Sequence, residues 1–431
     1  MQTGPFLFRI HSGYLCFMRQ LLIVLFVCVL VPVMQAQPGW TIYNTANSPI
    51  PENSIHCIAF DAQGNKWIGT DNGLAFFDDV NWTVYDTSNS GLPDNYIHSI
   101  AVASNGDVWI GTFVGGLARF DGTTWTVWNQ NNSGLPNDFV RSIAFDTVPG
   151  IMWIGTSSGL ARFDGTNFTV WNDQNSVLLS NNVSCVKVGD NNMKYISTIN
   201  GGLYDFDGTT FSIYTVSLTG IPDNSAVEIA LDSAGNRWYA SPAAGFMQHY
   251  EVNNIWSSYN TINSNIASNA LTSVFIDSLE NKYAGSQQSG FIRFTFPATW
   301  MYWDTANSPM PDEYVQCVAK ENNYIVWVGT RQGGLVRVDE SIIFSGITET
   351  ELEKPLLFPN PANCGQPVTL ALTAAMKSVR LFDLQGRRVE TAMLSGDPHR
   401  FVFAAPPAGI YIADVLLQSG GAVRTLLVVK E

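Results

Sequence analysis

Three sets of residues have types and spacing that could do chemistry. Gly155-Thr156-Ser157-Ser158-Gly159 fits the G-x-S-x-G pattern that raises a nucleophilic serine on a strained strand-to-helix turn. His56 and His98 occupy corresponding places in two similar segments, and paired imidazoles are the beginning of a metal site. Asp61, Asp146, Asp232 and Asp277 each open a turn and offer the hard oxygen that calcium prefers. Each set weakens when the rest of the chain is laid beside it. The counterparts of the serine motif are Gly69-Thr70-Asp71-Asn72-Gly73 and Gly111-Thr112-Phe113-Val114-Gly115, which lack the serine and join strand to strand. The histidine pair lacks a third ligand, and the aspartates stand one per turn where calcium takes about six to eight oxygens from one cluster. No catalytic residue, metal site or cofactor is therefore expected, and the chain reads as a non-enzyme.

The elements that carry these residues repeat. Aligning on the aromatic that opens each "T-V-Y/W" segment gives Trp40, Trp82, Trp125, Phe168, Phe211, Trp256 and Trp300, separated by 42, 43, 43, 43, 45 and 44 residues. Such a period, with several short strands per unit, is the mark of a β-propeller blade. In each unit an alternating segment such as Tyr96–Val102 supplies the inner strand, and a Gly/Asn turn reverses it. A Trp-Ile-Gly-Thr segment returns, Gly-Leu-Ala-Arg-Phe forms the third strand, and an Asp-Gly turn leads to the outer one. The first unit begins with an outer strand and the seventh stops after its third, so ring closure places Trp40–Tyr43 on the last blade as its fourth strand.

Repeat positions also show what is structural. Trp67, Trp109, Trp153, Trp238 and Trp327 share one column with Tyr195 and Tyr283, which predicts burial between blades rather than ligand stacking. Cys57, Cys185 and Cys317 alternate with Ser99, Ser142 and Ser273 at another, which reads as a small buried residue. A Cys57–Cys317 disulfide would join ring neighbours, but inner strands of adjacent blades are expected to lie too far apart for its geometry. With no C-x-x-C pair, structural zinc is not expected. His56 and His98 share a position with Arg141, Ser184, Thr272 and Gln316, so His56, His98, Arg141 and Gln316 are expected to line the central channel. His249 and His399 have no evident partner.

Composition bounds the function. A net charge of −14 with no basic patch argues against nucleic acid or an anionic membrane surface. Met18-Arg19-Gln20, the 13-residue apolar run Leu21–Val33 and Met34-Gln35-Ala36 have the parts of a secretory leader, with Met18 an alternative start. The run is shorter than the roughly 20 residues that span a bilayer. The expectation is a leader over 1–36 and an exported chain from about Gln37 without a transmembrane helix; an uncleaved anchor is the alternative.

Two stretches resemble known families. Leu92–Asp121, LPDNYIHSIAVASNGDVWIGTFVGGLARFD, closely resembles the two-component-regulator propeller repeat, and the likeness extends over about residues 40–340. The resemblance implies a seven-bladed propeller of the kind found in periplasmic sensor regions of hybrid histidine kinases. The tandem second propeller, kinase and DNA-binding segment of those sensors are not seen here. Leu357-Phe358-Pro359-Asn360-Pro361, Val379–Arg387, Pro407-Ala408-Gly409-Ile410-Tyr411 and Leu426–Lys430 resemble the C-terminal sorting domain of type IX secretion cargo in Bacteroidetes. That likeness implies recognition at the outer-membrane translocon, then release or attachment to surface lipopolysaccharide. Asp146-Thr147-Val148, Asp232-Ser233-Ala234 and Asp277-Ser278-Leu279 also resemble the O-glycosylation pattern of that phylum.

The expected architecture is all-β: a seven-bladed propeller over 37–340, a linker over 341–354 and a small β-sandwich sorting domain over 355–431. The candidate ligand face combines the loops between blades with the second-to-third-strand loops. It carries Asp94, Asn95, Tyr96, Asn137, Asp138, Phe139, Asp312, Glu313 and Tyr314 from the first set and Asp71, Asn72, Phe113 and Arg331 from the second. Aromatics beside amides and carboxylates suit a glycan or a peptide. The plainer expectation for Leu-Pro-Asp-Asn is that it caps each inner strand. The leading functional reading is a non-catalytic binding or scaffold module outside the cell. The alternatives are a carbohydrate-active enzyme with its acid and base in the mouth loops, or a ligand-sensing accessory to a membrane signalling partner.

Overall fold

The computed structural model describes residues 39–295 and 299–343, and within 356–430 the strands and the turn at 406–408. The expected leader, Cys364, His399 and residues 344–354 of the expected linker lie outside the described residues. Strand β1 (Trp40–Tyr43) comes first, and the first blade follows as β2 (Ile55–Phe60), β3 (Lys66–Thr70), β4 (Gly73–Phe77) and β5 (Trp82–Tyr85). The same antiparallel order recurs in β6–β9 (97–128), β10–β13 (140–171), β14–β17 (183–214), β18–β21 (228–259) and β22–β25 (271–303). The seventh blade has β26 (Val315–Lys320), β27 (Ile325–Thr330) and β28 (Leu335–Asp339), and β1 completes it. Trp40 pairs with Val338 and Tyr43 with Leu335, the closure expected from the phase of the repeat. Inner strands neighbour one another from β2 round to β26 and back to β2, so they enclose a central channel. This is a seven-bladed, all-β propeller with two single helical turns, α1 (Val216–Thr219) and α2 (Glu340–Ile343).

Blades widen outward, so packing is tightest at the axis and the sequence thins there. A Cβ on Gly155 would lie 2.9 Å from the Val183 side chain of the next blade, and Gly69, Gly111, Gly285 and Gly329 meet similar obstacles. The glycine of Trp-Ile-Gly-Thr is thus a close-approach residue. Its threonine caps the loop that follows: the Thr70, Thr156 and Thr330 hydroxyls each donate to a loop glycine carbonyl at 2.8 Å. Gly155→Val should lower stability by about 1–3 kcal/mol through overpacking. An unchanged denaturant midpoint would show that the inner strands can move apart.

The aromatic column lies between blades, as its spacing implies, with Trp153 and Trp327 at most 2% exposed. A feature that sequence reading did not anticipate accompanies it. A buried cation from the next blade sits over the ring: Lys66 over Trp327 at 5.4 Å, Lys194 over Trp153 at 5.1 Å, Arg237 over Tyr195 at 4.7 Å and Lys282 over Trp238 at 4.9 Å. The indole N–H donates to the acid of the blade's own turn, at 2.6 Å for Trp153 and Asp146 and 3.1 Å for Trp238 and Asp232. Those turn aspartates also accept backbone N–H groups. Turn chemistry therefore accounts for them, and no group that could hold a metal occurs among the described residues. His249 has partners after all: it hydrogen-bonds Arg237, and its other ring nitrogen lies 2.6 Å from Asn254. Burial lowers its pKa to about 4, with the Arg237 charge acting in the same direction.

At the seam of blades six and seven, Lys320 Nζ reaches Asp277 at 2.7 Å, the Tyr283 hydroxyl at 2.7 Å and Glu340 at 2.9 Å. Arg293 also pairs with Glu340, at 3.1 Å. Glu340 opens α2, so this buried cluster fixes the point where the chain leaves the propeller.

Beyond it the described strands form two sheets. One is ordered β29 (Leu356–Phe358), β31 (Pro367–Ala371), β35 (Arg400–Ala404), β34 (Met393–Asp397). The other is ordered β30 (Ala362–Asn363), β37 (Ala422–Lys430), β36 (Gly409–Leu417), β32 (Met376–Asp383), β33 (Arg388–Val389). The Tyr411 hydroxyl donates to the Pro407 carbonyl at 2.7 Å, which gives Pro407-Ala408-Gly409-Ile410-Tyr411 a physical reason: the tyrosine hooks its own turn.

Candidate functional site

The channel mouth is built by a staple repeated with variations. Asp94 accepts the Tyr96 N–H at 3.2 Å and the Val114 N–H at 2.9 Å, tying the entry to β6 to the loop after β7 (Val108–Thr112). Asp312 does the same with Tyr314 N–H at 3.0 Å and Gln332 N–H at 2.8 Å. Asn137 accepts the Phe139 N–H at 2.8 Å and donates to Ser158 at 2.9 Å. Asn95 and Asp138 accept the N–H groups of Thr87 and Gln130, both at 2.8 Å, and Glu313 accepts the Thr305 hydroxyl at 2.7 Å. The polar members of the expected face are therefore loop fasteners, as the plainer reading of Leu-Pro-Asp-Asn has it. What they present to the mouth is the residue they hold: Tyr96, Phe139 or Tyr314.

The bulged residue of each inner strand projects below this rim. A register shift at the entry of β2, β6, β10 (Val140–Phe145), β14 (Val183–Val188), β22 (Leu271–Ile276) and β26 marks it in six blades. A bulge re-aims a side chain, and no residue pattern announces it here. In three blades the bulged side chain latches the ring: Ser184 donates to the Ala226 carbonyl just before the next inner strand, and Thr272 and Gln316 to the Val315 and Ile55 carbonyls that open theirs. In the other three it is His56, His98 or Arg141, and these face the mouth.

Together they make a one-sided aromatic wall. His56 stacks on Tyr96 with centroids 4.6 Å apart, Tyr96 meets Phe113 at 5.2 Å, and Phe113 meets Phe139 edge-on at 4.6 Å. His98 lies 4.8 Å from Phe139, and the Arg141 guanidinium lies 4.1 Å over the same ring. Arg331 stacks on Tyr314 at 5.1 Å. His56 Nε2 hydrogen-bonds Asp71, and Asn72 lies beside Asn95. At the positions of Tyr96, Phe139 and Tyr314, the opposite blades carry Asn182, Ser225 and Ala270, and the first blade carries Ser54. Burial lowers the His98 pKa to about 4, so the ring is neutral at physiological pH.

The mouth opens into a cavity of about 710 Å³ lined by His56, Tyr96, His98, Arg141, Tyr314 and Gln316, among others. Deeper in the cavity is Glu228, which sequence reading missed. It opens β18 (Glu228–Leu231), the inner strand without the bulge. It holds the place filled elsewhere by Cys57, Ser99, Ser142, Cys185, Ser273 and Cys317, and accepts the Val274 N–H at 2.8 Å. The signal available in the sequence was a lone acid in an apolar inner strand. Burial raises its pKa to about 7; the Val274 N–H and Lys187 oppose the rise.

A carboxyl that holds its proton more tightly folded than unfolded loses stability as pH climbs from its unfolded value near 4.5 to about 7. Glu228→Gln should therefore stabilise the protein at pH 8 and do little at pH 4. A gain of equal size at both would show that Glu228 keeps an ordinary pKa.

The other chemical candidates resolve simply. Ser157 sits between two strands and accepts the Arg141 Nε–H at 3.2 Å. Cys57, Cys185 and Cys317 are free thiols, so ring neighbours Cys57 and Cys317 are not bridged. Burial pushes the Cys185 pKa up to about 11 and those of the other two further.

No curated protein matches the sequence. Among solved structures, the chain is similar to the extracellular domain of the putative hybrid two component system BT3049 of B. thetaiotaomicron. The identity is 17%, the TM-score 0.63, and the match covers 91% of this chain and 58% of that one. It is similar at 17% identity and TM-score 0.57 to PorZ of Porphyromonas gingivalis, an essential surface component of the type-IX secretion system, over 88% of this chain and 60% of that one. The chain thus spans about three fifths of either structure's length. Virginiamycin B lyase from Staphylococcus aureus, an enzyme, is similar at 11% identity and TM-score 0.56 over 70% of this chain and 98% of the lyase. At these identities the likeness is one of fold. The Two component regulator propeller family matches residues 49–72 and 91–113, the stretches that run from the entry loops of the first two blades through β3 and β7.

Proposed function

We propose that this propeller is a non-catalytic binding module that works outside the cell and takes its ligand at the channel mouth. One observation carries the reading: Tyr96, Phe113, Phe139 and Tyr314 gather on one side of a ring whose other side has small residues at the corresponding entry positions. Packing needs do not explain this, because Phe113 is 44% exposed. Exposed aromatics over a cavity suit ligand contact. The sensor extracellular domain among the similar structures supports the same reading by analogy of fold. Export by an N-terminal leader and delivery by type IX secretion through a C-terminal β-sandwich are part of the proposal. The charged, apolar and small-residue pattern of residues 18–36 and the family resemblance of residues 355–431 support them.

A glycan and peptide array on the intact chain tests the binding role. Tyr96→Ala should abolish any hit, because it removes the ring on which His56 and Phe113 pack. A hit that survives both Tyr96→Ala and Tyr314→Ala would place binding elsewhere.

A second reading has one specific observation in its favour, the His56–Asp71 pair at the mouth, which has the form of an oriented general base. Turnover of an array hit, lost in His56→Gln with binding retained, would establish an enzyme instead.

A further inference from the structure

We propose that the channel mouth selects a ligand bearing a carboxylate on a six-membered ring, seated beside Tyr96 and Phe113 and recognised by Arg141 and Arg331. This rests on the mouth being the binding site and adds the charge and shape of what it holds. The groups left open there are donors. Both carboxylate oxygens of Asp94 and of Asp312 are already engaged by backbone N–H groups, and Asp71 is held by His56. By contrast Arg141 and Arg331 form no ion pair among the described residues, although the chain carries a net charge of −14. The Tyr96 and Tyr314 hydroxyls have no partner among the described residues either.

Arg141 is the more telling of the two. Its Nε is fixed by Ser157 and its plane lies on Phe139, so the guanidinium is pre-oriented. Burial works against its charge, and no carboxylate offsets that. A partly desolvated cation without a counter-ion is unfavourable until an anion arrives. Arg331 stands at the rim on the seventh blade, stacked on Tyr314, which lines the same cavity, and the charges of both arginines and of Asp71 act on Tyr96. A guanidinium receives a carboxylate through paired N–H donors. The ring that carries the carboxylate then has the exposed Phe113 ring, with Tyr96 beside it, to lie against. Two sources share this chemistry, the uronate residue of a glycan and a free aromatic acid.

Calorimetric titration of the full chain with galacturonate and with benzoate, each beside its neutral counterpart galactose or benzyl alcohol, tests the inference. At least one acid should bind, and its neutral counterpart should bind at least about tenfold more weakly, the usual worth of a charge-assisted contact. Which acid binds identifies the source. Arg141→Gln and Arg331→Gln should each weaken the acid about tenfold without moving the melting temperature. Absence of binding by both acids overturns the inference. So does a neutral compound that binds as well as its acid and is indifferent to the arginine variants. If that neutral binding is lost in Tyr96→Ala, the mouth is still the ligand site and only the charge selection falls.

Discussion

A chain lacking residues 37–44 is expected to melt roughly 10 °C or more below the intact protein. The deletion removes β1, whose four residues pair with β28 from Trp40–Val338 to Tyr43–Leu335. Tyr43 stacks on Trp327 at 5.9 Å and meets Phe77 of the first blade at 5.4 Å, so one strand joins the packing of the last blade to that of the first. Trp40 and Ile42 pack on the seventh-blade core. Losing these side chains is worth about 1.5–3 kcal/mol each when well buried, and the backbone ladder goes with them. The bare edge of β28 would also invite pairing with another chain, so concentration-dependent aggregation should accompany the lower melt. Thr41→Ala, at an exposed position of the same strand, should change little. A deletion variant that melts with the wild type would mean the ring closes without β1.

Lys320→Met is expected to destabilise the protein by about 3–5 kcal/mol at neutral pH, the usual result of removing one partner from a buried ion pair. Its ammonium sits between Asp277 and Glu340, whose side chains are each 5% exposed. Without it two buried carboxylates face each other, with Arg293 as the remaining cation on Glu340. One of the pair should then take up a proton more readily, so the variant recovers stability as pH falls from about 7 towards 5. The wild type behaves in the opposite sense. Burial raises the Asp277 pKa, but hydrogen bonds from Asn281 and Lys320 outweigh it and hold the carboxyl below its ordinary 3.8. Its contribution is therefore complete above that value and is lost as pH drops through the lower folded pKa. Urea melts of both proteins at pH 7 and 5 should converge on acidification; a gap of constant size would rule out the carboxylate pair as its cause.

Periodicity carried the fold a long way. The seven aromatic starts set the blades, the incomplete first and last units set the closure, and the substitution of Asn192 for Gly64, Gly106 and Gly235 marked a left-handed turn that the structure shows at φ 61 for Asn192. A repeat is legible because each copy restates the same packing problem. The site is what departs from the repeat, and there the residue types misled. Asp94, Asn137 and Asp312 have the chemistry of ligand contacts, yet their hydrogen bonds all close inside the loops, which no spacing rule reveals. His249 looked partnerless because Arg237 and Asn254 lie on other parts of the same blade. Glu228 escaped because an acid stands in a column otherwise made of cysteine and serine, although Ile221-Pro222-Asp223-Asn224 puts it in register with them. Tyr96, Phe139 and Tyr314 stand out in the sequence for a simpler reason: they are aromatic at an entry position that the other blades fill with Ser54, Asn182, Ser225 and Ala270.

Ring closure also fixes an order of events. Gln316 binds Ser54 across 262 residues, and β1 must wait for β28, so the first strand of the propeller to be made is the last to find its partner. Contacts of that sequence separation form late because loop-closure entropy opposes them until most of the ring stands. A chain made from its N-terminus therefore keeps β1 unpaired until residue 339 has followed. Pulse-labelled hydrogen exchange during refolding should find the amides of β1 and β28 protected last; early protection there would reverse the order.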